Sequence, residues 1–558
     1  MSDRIAQDFA RPDGKGPARR RLLPDGWSVG AALIAAIVLL PVASVLWLAT
    51  HPSGAIWGHL ISTTLPRYLG NSLTLMAATG AAAAVIGTVT AWLVVMYRFP
   101  GVRWLEWALL LPLAIPAYVG AYALVDFLEY AGPVQTELRR VMGWSSAADY
   151  SFPRIRSGWA AVLVLSLALY PYVYLLARAA FREQSTTTIE VARALGAGPL
   201  SRFWRVGLPL ARPAIAVGAA IVMMETINDY GVVEYFGIQT LTTGIFTVWL
   251  ESRNVGGAAQ IACVILAVIL ALVLLEKISR RRSRFYAMSR SERRPERAPL
   301  SGWRALAACL ACLLPFGLGF VLPMGVIAGH AVGEGDRWLD PGLARAFWHT
   351  VSTGGAAAVL TVGAALFLVY GVRLSRRALP RLLLPATTIG YAAPGAVLGL
   401  GLLIPLAAFD NRLADAILWV TGVDPGLMLT GSAAAIVLAY VVRFFAIAQG
   451  AADSAMGRVS PNLPLAARTL GQSAGGALRR VYLPMIRGSV GTALLLVFVD
   501  CVKELPATLL LRPFNYNTLA TRVYEQASLE RIGDAAPAAL LVTAVGLAAV
   551  GIMARANR

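Results

Sequence analysis

Five ionisable residues sit inside runs that are otherwise apolar. Glu225 and Asp229 fall in one run, and Asp500, Lys503 and Glu504 in another. A charge within an apolar membrane-length segment is costly and marks a functional site by default. In both runs the two acids are four residues apart, which places them on one face of a helix. A path lined by carboxylates favours a cationic, oxygen-loving substrate. Four acids against one lysine carry a formal charge of −3, which suits a trivalent cation. Like charges at close range raise each other's pKa, however, and oppose full ionisation. The same residues also fit a structural role, in which Lys503 pairs with Asp500 or Glu504 and locks helices together.

The elements that position these residues follow from hydropathy. The chain has 558 residues, only 14% of them charged, and a mean hydropathy of +0.64. That places it in the membrane class. Apolar runs of about 20 residues, enough to cross a hydrocarbon core of roughly 30 Å, recur about twelve times. They cover 27–49, 71–97, 104–131, 158–180, 213–235 and 257–277, then 303–330, 349–372, 380–409, 431–450, 489–511 and 534–555. The formal charge of +19 comes from Lys and Arg at the ends of these runs. This is the positive-inside pattern, with Lys503 as the one basic residue read inside a span. It accounts for the basicity without nucleic acid as a partner; the lipid bilayer is the surrounding phase.

Arg19-Arg20-Arg21 precede a first apolar run longer than a signal-peptide core, so an uncleaved first helix and a cytoplasmic N-terminus are expected. The cysteines Cys263, Cys309, Cys312 and Cys501 all lie in predicted spans, and Cys309 and Cys312 read as ordinary helix packing rather than a redox pair. Lys277 to Arg304, basic and without apolar period, divides six spans from six. The organisation is then an N-terminal cytoplasmic arm (1–26), a first six-helix unit (27–277), a basic cytoplasmic linker (278–302) and a second six-helix unit (303–558).

The two units repeat one another. Ala192 and Gly196 through Leu208-Pro209 recur 275 residues later as Ala467 and Gly471 through Leu483-Pro484. Glu225 and Asp229 then fall opposite Asp500 and Glu504. Thr240-Leu241 and Thr243 match Thr518-Leu519 and Thr521 at an offset of 278. An even number of spans per unit makes the repeats parallel, with the pathway at their interface.

Between the fourth and fifth span of each unit lies a cytoplasmic segment too polar to be a span. One reads Glu190-Val191-Ala192, three residues, Gly196, nine residues, Val206-Gly207-Leu208-Pro209. The other reads Leu465-Ala466-Ala467, three residues, Gly471, nine residues, Val481-Tyr482-Leu483-Pro484. Thr187 with Glu190 forms a capping box, and Ser460-Pro461 offers a start signal to the second copy. Gly196 and Gly471 allow a turn between two short helices, and each Leu-Pro is expected to stop the second of them before the next span.

This spacing resembles the EAA loop of ABC importer permeases. The resemblance implies an all-α integral membrane protein of about twelve transmembrane helices, in the two-repeat type I importer arrangement. It implies a transport subunit rather than an enzyme. In that family the loop docks into the ATP-binding subunit, a role carried onto Glu190, Ala192, Gly196, Leu208 and Pro209, and onto Ala466, Ala467, Gly471, Leu483 and Pro484. Leu465 departs from the motif's glutamate, which puts the second site's coupling in doubt. No G-x-x-x-x-G-K-[ST] occurs, Gly14-Lys15 being followed by Gly16, so ATP is expected to be used by a partner chain and this chain to bind no cofactor.

The stretches Lys503 to Phe514, Thr518 to Glu525 and Gln239 to Phe246 are similar to ferric iron importer permeases. That resemblance implies two copies of an ATP-binding subunit, a periplasmic ferric-binding protein and a bacterial inner-membrane location with both termini cytoplasmic. It also implies transient Fe(III) contact at Glu225, Asp229, Asp500 and Glu504, with no resident metal site. Thiamine and polyamine importers share the architecture. An ion-coupled secondary transporter would use the same acids as proton relays but would have no ATPase for the duplicated loops to dock.

Overall fold

The computed structural model describes residues 26–51, 56–184, 186–281, 297–333, 335–374, 383–387, 393–460 and 462–556. The terminal arm up to residue 25, the linker from 282 to 296 and Pro461 lie outside them, as do the side chains of Thr187 and Leu465.

In hydrocarbon every backbone N–H and C=O needs an internal partner, so apolar runs of this length become helices. Eleven helices among the described residues are long and apolar enough to cross a membrane, and a bent pair makes up to twelve. The bent pair is the third span. It is not the single helix expected over 104–131. Val102–Ala108 runs into a 3-10 turn, Leu111–Ala114, and a new helix starts at Ala117, with a bend of 94° across the break. The cause is Pro116, which has no N–H to donate and takes an extended ψ of 138°. The helix of the ninth span follows Pro394, at ψ 153°, and runs from Gly395 to Thr421 rather than over the expected 380–409.

The repeat seen in the sequence is a repeat in hydrogen bonding. Thr240 and Thr243 form a capping box on the helix Leu241–Phe246, and Thr518 and Thr521 form the same box on Leu519–Ser528. The N–H of Leu241 donates to Ser72 Oγ at 2.9 Å, and the N–H of Leu519 to Thr350 Oγ1 at 2.8 Å. Both contacts tie the segment after the fifth or eleventh span to the second or eighth, Leu65–Met96 or Pro341–Leu374.

Within each repeat the second, fourth and fifth spans pack together, as do the eighth, tenth and eleventh. The outermost helices cross over. The first span, Gly26–Thr50, lies against the ninth, and Leu322–Gly333 of the seventh lies against Ala117–Leu128 of the third. Small residues permit these crossings, as is usual where lipid offers no hydrophobic drive. A Cβ on Gly401 would stand 2.3 Å from the Pro41 carbonyl oxygen.

The end of the linker is also held. Ala298–Pro299 pairs in parallel with Tyr97–Arg98, and Arg297 donates to Glu106 Oε2 at 2.9 Å. Glu106 Oε1 accepts from Arg178 and Arg182 near the C-terminal end of the fourth span, Gly158–Glu183. A carboxylate buried among three guanidiniums is fully paired, which is what makes its burial tolerable.

Candidate functional site

Two regions gather the residues singled out by sequence. The first is the pair of loops between spans. The helix Thr186–Ala194 ends at Gly196, whose φ of +80° is the left-handed conformation that glycine adopts without penalty. The N–H of Ala197 donates to Ala192 O and that of Gly196 to Arg193 O. Asn462–Thr469 ends identically at Gly471, φ +82°, with Gln472 N donating to Ala467 O. The second short helix follows at Pro199–Arg202 in one copy and Ala474–Ala477 in the other.

The Leu-Pro pairs do not stop these helices. Each helix widens into one π turn, Phe203–Gly207 or Leu478–Tyr482, and continues as Leu208–Asn228 or Leu483–Lys503. The N–H of Leu208 reaches back five residues to Phe203 O, and that of Leu483 to Leu478 O. A widened turn shifts the ladder by one residue, so the missing N–H of Pro209 or Pro484 breaks nothing. The second short helix of each loop and the following span are therefore one continuous rod, Pro199–Asn228 in one copy and Ala474–Lys503 in the other.

Each rod is anchored to its own repeat near its N-terminal end. Trp92 lies over Gly207, where a Cβ would come within 2.3 Å of the ring, and Gln184 Nε2 donates to Gly207 O at 2.9 Å. The second repeat fills the same contact with two mid-sized rings, Tyr370 edge-on to Tyr482 at 5.4 Å, and Tyr370 Oη donates to Ala474 O. Beyond the anchors, apolar side chains face outward. Leu195 is 81% exposed and Leu470, at the equivalent place, 82%. Glu190 and Ala466 are exposed beside them, while Ala192 and Ala467 are half-buried.

The second region is a cavity of about 200 Å³ between the repeats. Glu225, Asp229, Asp500, Lys503 and Glu504 all line it, with Tyr118 and Asn228 from the first repeat and Arg443 from the second. The five sequence candidates are thus brought together from two helices 275 residues apart. They do not share one helix face as spaced. The fifth span ends at Asn228 and the eleventh at Lys503, and the backbone turns extended at Asp229 and Glu504.

Those two acids cap the short helices that follow. Asp229 Oδ1 accepts from Val232 N at 2.9 Å and Val233 N at 3.3 Å. Glu504 accepts from Ala507 N and Thr508 N, both at 3.0 Å, and from Thr508 Oγ1 at 2.8 Å. Glu504 is buried, and Arg443 Nε lies 3.9 Å from its Oε1. Glu225 and Asp500 instead line the cavity from the helix proper, within electrostatic reach of each other. Lys503 Nζ donates to the carbonyl of Leu113. Among the described residues no three His, Cys, Asp or Glu side chains converge closely enough to hold a metal ion. The acids form a lining and not a chelate.

Arg443 corrects the reading of Lys503 as the one basic residue within a span, since it lies mid-way along Ala433–Gly457. The rule that picked out Lys503 applies equally to it. Tyr118 and Asn228 carry no such signal. They reach the cavity because the third span breaks at Pro116 and the fifth ends beside it.

Residues 83–285 match the family described as binding-protein-dependent transport system inner membrane component. That stretch holds the first of the two loops and the fifth span. The chain is an ABC importer permease. It is similar to the Fe(3+)-transport system permease protein FbpB 2 of Haemophilus influenzae, 26% identical over 87% of this chain and 88% of that protein. It is also similar to the sulfate transport system permease protein CysT of Salmonella typhimurium, 28% identical over 44% of this chain and 90% of that protein. The molybdenum transport system permease protein ModB of Escherichia coli is 27% identical over 32% of this chain and 78% of that protein. This permease is a multi-pass inner-membrane transport subunit and not an enzyme. Its family works with an ATP-binding subunit and a substrate-binding protein outside the membrane.

Proposed function

We propose that this permease imports ferric iron. The supporting observation is the extent of the iron-permease likeness, which runs through both repeats, whereas the sulfate and molybdenum relatives cover less than half of the chain. The cavity is consistent in sign. Four carboxylates against Lys503 and Arg443 leave a net negative lining, which repels an oxyanion and attracts a cation. Because the acids do not chelate, Fe(III) would pass Glu225 and Asp500 transiently, with Asp229 and Glu504 shaping the path.

The loops at Glu190, Ala192, Gly196, Leu208 and Pro209, and at Ala466, Ala467, Gly471, Leu483 and Pro484, each dock one of two ATP-binding subunits. Leu195 and Leu470 supply apolar contact, and the continuous rods carry ATPase closure to the cavity. The partner chain uses the ATP, and the permease itself holds no cofactor. A ferric-binding protein delivers cargo at the outer face, and both termini lie in the cytoplasm with the basic segments.

The test is ATP-dependent uptake of radiolabelled Fe(III) into proteoliposomes holding the permease, its ATPase and the loaded binding protein. Thiamine, putrescine and sulfate are run alongside. Selective iron uptake is expected. Uptake of thiamine or putrescine instead would keep the architecture and overturn the iron assignment, and uptake without ATP would overturn the coupling.

A further inference from the structure

The Lys503 ammonium bridges the two repeats at the cavity. Lys503 is the last residue of the eleventh span in the second repeat, and its acceptor, the Leu113 carbonyl, belongs to the broken third span of the first. The break exposes that carbonyl. The chain leaves the helical path at Ile115 and Pro116, so the 3-10 turn Leu111–Ala114 ends facing the cavity rather than continuing its ladder. A side chain from the opposite repeat fills the place.

The neighbours of Lys503 give the contact a further role. Asp500 lies one turn back on the same helix face, and Glu225 lines the cavity from the other repeat. Asp229 is held by the backbone it caps, and Glu504 by its cap and by Arg443. Glu225 and Asp500 line the cavity from the helix proper, and the positive charge of Lys503 in the same lining belongs to a side chain that must let go if the repeats part.

We propose that Lys503 is a resident counter-cation that seals the carboxylate path against small monovalent cations while the repeats are closed. It rests on the reading of the cavity as the cargo path but not on the identity of the cargo. A K⁺-sized ion meets an ammonium that already lines the same cavity as the carboxylates. Separation of the repeats, driven through the loops, withdraws the ammonium from Leu113 and opens the site. An acid-lined path without such a charge would leak ions down the membrane potential whenever water entered it.

The experiment is passive ⁸⁶Rb⁺ flux into proteoliposomes holding the permease with its ATPase subunits, without ATP. Lys503→Met is expected to raise the flux by about tenfold or more over the wild-type permease. Lys503→Arg keeps the charge and should stay sealed. Adding Asp500→Asn to Lys503→Met removes the attracting carboxylate and should lower the flux again. Co-purification of the ATPase with each variant checks that it is folded. Wild-type flux in Lys503→Met, or equal leakage through Lys503→Arg, overturns the seal. A leak in Lys503→Met that ignores Asp500→Asn overturns the cavity as the conduit.

Discussion

At the scale of single residues, the four acids divide into two that cap short helices and two that line the cavity from the helix proper. Glu225→Gln with Asp500→Asn should abolish ATP-driven uptake while leaving basal ATPase activity, because neither residue caps a helix. Undiminished uptake would return both to a structural role. Asp229→Asn keeps an acceptor at the cap and should cost only a few tenths of a kcal/mol, whereas Asp229→Ala should cost about 1 kcal/mol. Glu504→Ala removes three hydrogen bonds that cap the next helix and the carboxylate beside the half-buried Arg443, and should lower thermal stability in detergent. The sequence gives the identity of these acids, since charge inside an apolar run is legible from composition alone. It does not give their division, because i and i+4 spacing assumes a helix that in fact ends at Asn228 and at Lys503. Arg443 was equally legible by the same rule. Tyr118 reaches the cavity through a break in its span, which hydropathy averages away.

At the scale of elements, the informative feature is that the second short helix of each loop and the span after it form one rod. The motif spacing, the turn glycines and the duplication are all readable in sequence, and Gly196 and Gly471 adopt the left-handed turn that their position requires. The passage of the helix through Leu-Pro is not readable, because it depends on a π turn that only the surrounding packing selects. Gly196→Asp, at a position with φ +80°, should leave the permease inserted but unable to retain its ATPase, and normal co-purification would contradict docking at this loop. Outside the bilayer, Asp340 is held below the usual carboxylate range by the Gly342 N–H and, against partial desolvation, by Arg522. A depressed pKa stabilises the fold above the unfolded value, about 3.9, and that contribution is lost as pH falls through the lower folded value. Asp340→Asn should therefore lower the melting temperature slightly at pH 7, with the gap to the wild-type permease closing under acid. A gap that does not narrow at all as the pH falls would assign the effect to packing and not to charge.

At the scale of the molecule, two parallel repeats exchange their outermost helices, so neither repeat can move without carrying a helix packed on the other. Such an arrangement transmits a symmetric input best when both rods are pushed together. The two loops offer their partners near-equal surfaces, since Leu195 and Leu470 are exposed to the same degree, yet the anchors behind them differ. The first is a Trp92 and Gly207 pair and the second a Tyr370 and Tyr482 pair, alike in the space they fill and unlike in chemistry. Filling the same contact by different residues keeps the two rods alike in geometry although Glu190 and Leu465 differ at the equivalent position. It follows that Leu195→Asp and Leu470→Asp should each release one ATPase copy, and together both. Native mass spectrometry of the purified complex reads this directly. If Leu470→Asp released no copy while Leu195→Asp released both, the second loop would not be an independent docking site. Coupling would then run through the first repeat alone, against the duplication on which the architecture rests.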